Sequence, residues 1–314
     1  MGIKGLNQFL RKTCSQNIKQ VSLYELKGKV IAIDASIYMY RFKCDDILID
    51  GIYQMTTLMK HCGIVPLFVF DGKPPTIKNN ALQKRQAFKK EAENKHKELT
   101  QLLNMCVIED IAEDIEIEIN SLRKKIVRIT FDDIENVKAL LSLLGVSYYE
   151  CNGEADAICS RMVHDNIAHA CMSEDMDLFV YGTNNVLRYL SLLNSSVVIY
   201  DLNGILTTLG VSFKEFQDIC IIAGTDYNIH DMPEIDITYS LKMFENYRES
   251  GESCHYSDWI IKNNRAIDSQ LLNQTITLFD ISEIKIIQEK LIKSKYNNAG
   301  TKQFLERYGF VFVY

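Results

Sequence analysis

No apolar run in this 314-residue chain reaches the roughly 18 residues that a membrane-spanning helix needs. The opening MGIKGLNQFLRK lacks the charged-then-apolar layout of a secretory signal, and Leu6 stands where an N-myristoylation signal needs Ser or Thr. Both absences exclude membrane and secreted classes and predict an intracellular protein without a targeting signal. The nine cysteines include no C-x-x-C pair and the six histidines do not gather beside them, which argues against a zinc site and for a reducing compartment. There is no internal repeat and no low-complexity linker, so a single domain over 1–314 carrying an insertion is favoured over two domains. An excess of basic charge is missing too: the formal net charge is −6, which by its sum disfavours a nucleic-acid partner. Against these absences stands a hydrophobic content of 47%, ample for a core.

The distribution of charge says more than its sum. Lys78 to Glu98 holds seven Lys or Arg against three acids, whereas Glu109 to Glu118 holds six acids and no base. A charge run is ordinarily a solvated helix face, and that reading applies to the outer lysines and to the acidic run. The region 78–130 lacks strand character and is predicted to be a helical insertion. Around it the chain alternates: KVIAIDAS (29–36) and VPLFVFDG (65–72) are apolar strand-type runs ending in a carboxylate, and a helical stretch separates them. The helix NVKALLSLLG precedes a strand VSYYE, Asn152 is the predicted N-cap of GEADAICSRMVHD, and AHACM is the next strand. The fold class expected is α/β, a mainly parallel twisted central sheet flanked by helices. Residues 227–314 are expected to be helical, with Asp280 to Glu283 a capping box ahead of a helix IKIIQEKLIKSKY.

In open α/β sheets ligand sites gather beyond the carboxyl ends of the strands. Asp34, Asp71 and the pair Asp175 and Asp177 of SEDMD would emerge there, joined by Glu154 and Asp156 in a first helical turn and by Asp226 of GTDYN. A lone strand-end Asp is weak evidence, because caps and turns use Asp freely. As a set these acids need a cation: at an effective dielectric of 20, two unit charges 4 Å apart repel by about 4 kcal/mol. Mg²⁺ is typically held by carboxylates, waters and substrate phosphate, and two such ions can activate a water and stabilise a leaving oxygen. The set predicts metal-assisted phosphodiester hydrolysis. Glu174, between them, is expected to face solvent.

The blocks MGIKGL, KVIAIDASIYMYRF, VFDGKPPTIK, GEADAICSRMV, SEDMDLFVYG and CIIAGTDYN stand in an order and spacing that resemble the flap endonuclease (XPG-like) family of 5′ nucleases over roughly residues 1–230. The resemblance implies a PIN-like nuclease core and two Mg²⁺ ions, with Mn²⁺ able to substitute. It assigns Asp34, Asp71, Glu154 and Asp156 to the first ion and Asp175, Asp177 and Asp226 to the second. Asp156 replaces the commoner family Glu, a shorter arm that a bridging water would extend. Lys78 and Arg85 match the family's catalytic basic residues at the foot of a helical arch, and their spacing of seven suits one helix face. Tyr40 matches an aromatic that stacks on a base beside the cut, Gly2 matches an N-terminus near the substrate, and Lys84 and Lys89 are further candidate DNA contacts.

The resemblance therefore implies a DNA nuclease acting at flaps, nicks, gaps or 5′ ends in replication, repair or recombination. The alternatives are a 5′-3′ exonuclease or junction-resolving relative, a non-catalytic DNA-binding factor, and a small-molecule phosphohydrolase; the last leaves the basic insertion without a purpose. One family feature is missing. The glycine-rich hairpin that holds duplex backbone is replaced by IHDMPEIDITYSLKMF, with Asp231, Glu234 and Asp236 where phosphate would approach. No sliding-clamp peptide or basic tail follows. The abundance of Ile, Asn, Lys and Tyr suits an AT-rich genome such as that of a large DNA virus, so the expected location is a nucleus or a cytoplasmic viral replication site.

Overall fold

After helix α1 (Leu6–Thr13), an edge strand β1 (Ile18–Ser22) leads into β2 (Val30–Asp34), helices α2 (Ala35–Cys44) and α3 (Leu48–His61), and β3 (Val65–Phe70). Two long helices, α4 (Asn79–Met105) and α5 (Glu109–Ile126), precede α6 (Phe131–Leu143) and β4 (Ser147–Glu150). Then follow α7 (Ala155–His164), β5 (Ala170–Met172), the short α8 (Asp177–Val180), and strands β6 (Asn185–Ser191) and β7 (Ser196–Asp201). Helices α9 (Leu202–Leu209), α10 (Phe213–Ala223), α11 (Ile237–Ser250), α12 (Tyr256–Asn263) and α13 (Ser269–Leu278), strand β8 (Leu291–Ile292) and α14 (Asn298–Glu306) complete the chain. This computed structural model describes residues 2–73, 75–105, 109–228, 235–264 and 267–312.

The strands form one eight-stranded sheet in the order β1-β7-β6-β5-β2-β3-β4-β8. The five central strands β6, β5, β2, β3 and β4 run parallel, and the outer pairs β1/β7, β7/β6 and β4/β8 are antiparallel. Alternation along the strands assigns each face its core. Ile31 and Ile33 of β2 with Phe68 and Phe70 of β3 join Met55, Leu140 and Leu141 on one side. Ala32, Leu67 and Val69 join Cys171, Phe179 and Ile222 on the other. From β2 the chain builds outward through β3 and β4 and then returns to lay β5 on the opposite flank of β2. The order reverses between β2 and β5, and a crevice at the carboxyl edge follows from that reversal.

Within residues 78–130, helices α4 and α5 fold back on each other with Ala92, Ile119 and Leu122 buried between them. Lys95 to Glu118 at 2.5 Å and Arg128 to Glu93 at 2.6 Å align the pair from outside, where such ion pairs contribute little energy. The side chains of residues 109–114 and 116–117, in the acidic run, lie outside the described residues, as do Asp231 and Glu234, which the sequence reading set where a glycine-rich hairpin is expected. Asp236 is the N-cap of α11, accepting the Tyr239 N–H at 3.0 Å.

The sheet extends beyond the parallel part read from the sequence through the antiparallel strands β7 and β1. Two expectations are corrected. The segment after Asp280 is not a helix: Asp280 accepts the Ser282 N–H at 2.9 Å in a turn, and the chain then runs irregularly to β8, which pairs with β4. Tyr149 explains this, since its hydroxyl takes the Ile287 N–H at 3.1 Å and its own register partner is Leu291. Asn152 is not the cap of α7; Glu154 occupies that position, and the Asn152 side chain instead meets the Lys290 ammonium.

Candidate active site

The carboxylates emerge where the parallel strands end. Asp34 closes β2 and caps α2, its Oδ1 accepting the Ile37 N–H at 3.3 Å, while Ser173 Oγ donates to Oδ2 at 2.9 Å. Ser173 follows β5 and its hydroxyl also accepts the Asp175 N–H at 3.2 Å, so one serine ties the exits of the two strands at the switch point. Asp71 follows β3. Its Oδ2 accepts Ser36 Oγ at 2.5 Å and its Oδ1 the Ala155 N–H at 2.7 Å, so it supplies the cap that Glu154 does not give its own helix. The loops after β3 and β4 are stitched together by Gly72 N–H to Gly153 O at 2.7 Å, an approach so close that a Cβ on Gly72 would lie 2.4 Å from Cys151 O.

Asp175 Oδ1 accepts the Asp177 N–H at 3.1 Å. Gly2 lies against the same pair in a left-handed conformation (φ 81°), and a Cβ there would stand 2.6 Å from Asp175 Oδ1 and 2.8 Å from Asp177 Oδ1. Glu154 accepts the Lys78 ammonium on Oε1 and the Tyr227 hydroxyl on Oε2. Asp226 Oδ2 is 2.5 Å from Arg85 and 3.9 Å from Lys78. Lys78 ends the short helical turn Thr76–Lys78 ahead of α4, and Arg85 projects from α4, so the foot of the insertion delivers both cations to the carboxylates.

The electrostatics are those of a crowded anionic pocket. Burial, then repulsion from Asp71, pushes Asp34 up to about 7, even though its hydrogen bonds from Ser173 and Ile37 work the other way. Burial, with neighbouring carboxylates adding to it, raises Asp156 and Asp177 well above the usual carboxylate range. Burial opposes the charge of Lys78, but Glu154 and then Asp226 outweigh it and hold the ammonium above its ordinary value. Among the described residues, Asp156 Oδ1 and Asp177 Oδ1 are buried acceptors without a hydrogen-bond donor. Such orphaned anionic oxygens are costly unless a cation meets them. A cavity of about 560 Å³ is lined by six of the seven carboxylates, all but Asp177, together with Lys78, Arg85 and Tyr40.

The donor set, all hard oxygens with free lone pairs, fits a divalent ion such as Mg²⁺. No three His, Cys, Asp or Glu side chains among the described residues already converge on metal-ligand geometry. Glu154 and Asp226 are paired with Lys78 and Arg85.

Of the other candidate contacts, Tyr40 is 39% exposed at the cavity, with Lys89 Nζ 5.2 Å from its ring centroid. Lys89 also donates to Val127 O at 2.9 Å, and burial lowers its pKa. Lys84 is exposed on α4. Glu174 departs from expectation. It accepts the Tyr189 N–H at 2.6 Å and lies 3.5 Å from Arg188 Nε, pinning a bulge in β6 where Tyr189 has φ 57°. Sequence reasoning missed Ser36, Ser173 and Tyr227 as the residues that orient carboxylates; each stands inside a quoted block (DAS, MSED, GTDYN), and that adjacency was the available signal.

The XPG N-terminal domain model matches residues 1–92 and the XPG I-region model residues 145–226. Flap endonuclease 1 of Cryptosporidium muris is 31% identical over 72% of this chain, which spans 52% of that relative's length. Flap endonuclease 1-B of Xenopus laevis is 28% identical over 98% of this chain and 83% of its own. The catalytic core of Rad2 solved in complex with DNA substrate superposes with a TM-score of 0.67 at 19% identity, covering 96% of this chain and 94% of that one. No helix among the described residues is long and apolar enough to cross a membrane.

Proposed function

The chain belongs to the flap endonuclease (XPG-like) family of structure-specific 5′ nucleases, and we propose that it cuts DNA at flaps, nicks, gaps or 5′ ends in replication, repair or recombination. In this reading residues 1–314 are one nuclease domain, 78–130 its arch, and the acids of its site hold two Mg²⁺ ions, which Mn²⁺ can replace. Asp34, Asp71, Glu154 and Asp156 are assigned to one ion and Asp175, Asp177 and Asp226 to the other. The observation that carries it is the pair of donorless buried oxygens, Asp156 Oδ1 and Asp177 Oδ1, set among further carboxylates at the sheet's switch point. When bound, the ions supply activation of a water and neutralisation of charge on the departing oxygen.

The remaining work falls to side chains of the chain itself. A phosphodiester entering the cavity offers Lys78 and Arg85 an anion in place of Glu154 and Asp226. Preorganised at the foot of α4, the two cations are positioned to polarise its oxygens and to stabilise charge as the bond breaks. Ser36, Ser173 and Tyr227 keep their carboxylates aimed during that exchange. Tyr40 offers a face on which a neighbouring base stacks, and Gly2, Lys84 and Lys89 contact the DNA around it. The test is a panel of end-labelled flap, nicked, gapped and four-way substrates with and without Mg²⁺. Incision of 5′-branched DNA that depends on the ion is expected, and product lengths separate endonucleolytic cutting from stepwise degradation. Purified protein that cuts none of them with Mg²⁺ or Mn²⁺ sinks the reading.

A further inference from the structure

Glu154 reaches the cavity on a longer arm than the aspartates around it, from a helix N-cap to which its side chain gives no hydrogen bond. Two groups hold that arm: the Lys78 ammonium on Oε1 and the Tyr227 hydroxyl on Oε2. Lys78 is the partner that a phosphodiester would draw away. Tyr227 then keeps the carboxylate in place, and its hydroxyl does not act alone. The hydroxyl of Tyr181 lies 3.0 Å from it, and both side chains are buried. An ionised carboxylate only accepts, so the single proton of the Tyr227 hydroxyl points to Glu154 and Tyr181 is left as the donor to Tyr227. The order is forced: Tyr181 to Tyr227 to Glu154. Three acid-bearing segments meet in this relay. Tyr181 ends α8, the short helix that begins at Asp177, and its N–H bonds Asp177 O at 3.0 Å. Tyr227 follows Asp226, in a loop fixed by Thr225 N–H to Asn228 Oδ1 at 2.9 Å and Asn228 Nδ2 to Ile221 O at 2.7 Å. Glu154 leads into α7. Buried Phe279, at the end of α13, packs against both rings, with centroids 4.6 Å from Tyr181 and 5.3 Å from Tyr227.

We infer that Tyr181 is a positioning residue of the active site: through Tyr227 it holds Glu154 Oε2, leaving Oε1 to serve a divalent ion, and it does so from the segment that carries Asp177. This role rests on the metal-dependent nuclease reading above and deepens it, because Glu154 is assigned to one ion and Asp177 and Asp226 to the other. A hydrogen-bond chain couples the two groups of ligands, since each bond polarises the next in a site shielded from water. Tyr181 touches neither an ion nor the reacting phosphate. The competing account is that the two hydroxyls only satisfy each other in the core, in which case losing one costs stability and nothing else.

Mn²⁺ binding to the DNA-free protein, read from the electron paramagnetic resonance signal of the free ion, separates the two accounts. Tyr227→Phe removes the direct partner of a ligand and should weaken binding about tenfold; Tyr181→Phe, one bond farther away, should weaken it about threefold. The double variant should be no weaker than Tyr227→Phe alone, because the first bond then has nothing to act on. Tyr256→Phe is the control. It removes another buried hydroxyl, the donor to Ser240 O at 2.8 Å, and should lower the melting temperature as Tyr181→Phe does while Mn²⁺ affinity stays at the wild-type value. On a flap substrate Tyr181→Phe should lower kcat at limiting Mg²⁺, recover it at high Mg²⁺ and leave KM for the DNA unchanged. Wild-type Mn²⁺ affinity in Tyr181→Phe, additive losses in the double variant, or an equal loss in Tyr256→Phe overturns the relay. Wild-type protein that binds Mn²⁺ and cuts no substrate overturns the nuclease reading, and the binding measurements still decide the relay; wild-type protein that binds no Mn²⁺ overturns both.

Discussion

Asp71 Oδ1 accepts the backbone N–H of Ala155 at 2.7 Å, so a carboxylate at the end of β3 caps the helix that carries Asp156, with Glu154 at its N-cap. One side chain thereby does two jobs: it is a candidate ligand and it fixes the entry of two others. Asp71→Asn keeps an oxygen acceptor for the Ala155 N–H and can donate its amide N–H to the Ser36 hydroxyl but loses the charge, whereas Asp71→Ala loses both the cap and the charge. Thermal melts should place Asp71→Asn near wild type and Asp71→Ala about 1 kcal/mol lower, the usual worth of a cap. Both should be inactive on a 5′-flap substrate. Equal stability of the two variants would show that the cap contributes nothing.

Removal of divalent ions should cost stability in a pH-dependent way. The folded state raises Asp34 from 3.8 to about 7, and it raises Asp156 and Asp177 as well. Carboxylates raised in this way contribute stability that is full below their ordinary value and is lost as pH rises through the folded value, because the unfolded chain releases those protons first. EDTA-treated protein should therefore melt lower at pH 8 than at pH 5.5. Added Mg²⁺ should recover more at pH 8, where the ligands are ionised, than at pH 5.5. Asp177→Asn, which resembles the protonated acid, should melt like the metal-free wild type at pH 5.5 and show a much smaller Mg²⁺ shift. An Mg²⁺ shift that is the same at both pH values would place the ion elsewhere.

Lys78 and Arg85 should separate turnover from binding. Both reach the carboxylates from the foot of α4, and charge stabilisation at that point is worth about 100-fold in rate for a single well-placed donor. Lys78→Ala and Arg85→Ala should each lower kcat by about 100-fold with a much smaller change in KM. Arg85→Lys should recover only part of the loss, because an ammonium cannot reproduce the planar fork. A change confined to KM would make them contacts for the DNA backbone alone.

Much of the site was legible because strand exits are local features: apolar runs ending in Asp34 and Asp71, and the SEDMD and GTDYN blocks, announce carboxylates at one edge without knowledge of partners. What was hidden depends on distant partners. Ile284, Ile287 and Leu291 have helical spacing, yet Tyr149 draws that segment to the sheet edge. Glu174 looked like a solvated neighbour of Asp175, yet its partners are 14 and 15 residues ahead, in a bulge that no local pattern marks. Glu174→Ala should accordingly free the Tyr189 N–H, lower stability by about 1 kcal/mol and reduce kcat through the adjoining Asp175. Glu174→Gln should retain most of both, since its amide oxygen can still accept from Tyr189. Wild-type behaviour of Glu174→Ala in melts and cleavage would return the residue to the role of a solvated bystander.

Gly2 should be sensitive out of proportion to its size. Its φ of 81° is a left-handed conformation that costs a residue with a Cβ about 1 kcal/mol. The larger effect is steric, since the added methyl would fall 2.6 Å from Asp175 Oδ1 and 2.8 Å from Asp177 Oδ1, and one side must move. Asp175 and Asp177 are buried behind the central strand β5 whereas Gly2 is only partly buried, so the shift falls on Gly2 and global stability should fall by no more than that backbone cost. The displacement nonetheless alters the ground beside both candidate ligands. Gly2→Ala should lower kcat on a flap substrate by at least tenfold while leaving the melting temperature within a few degrees, and a calorimetric Mg²⁺ titration should show weaker binding. Full activity with unchanged Mg²⁺ affinity would mean that the backbone at Gly2 yields without touching the Asp175 and Asp177 pair.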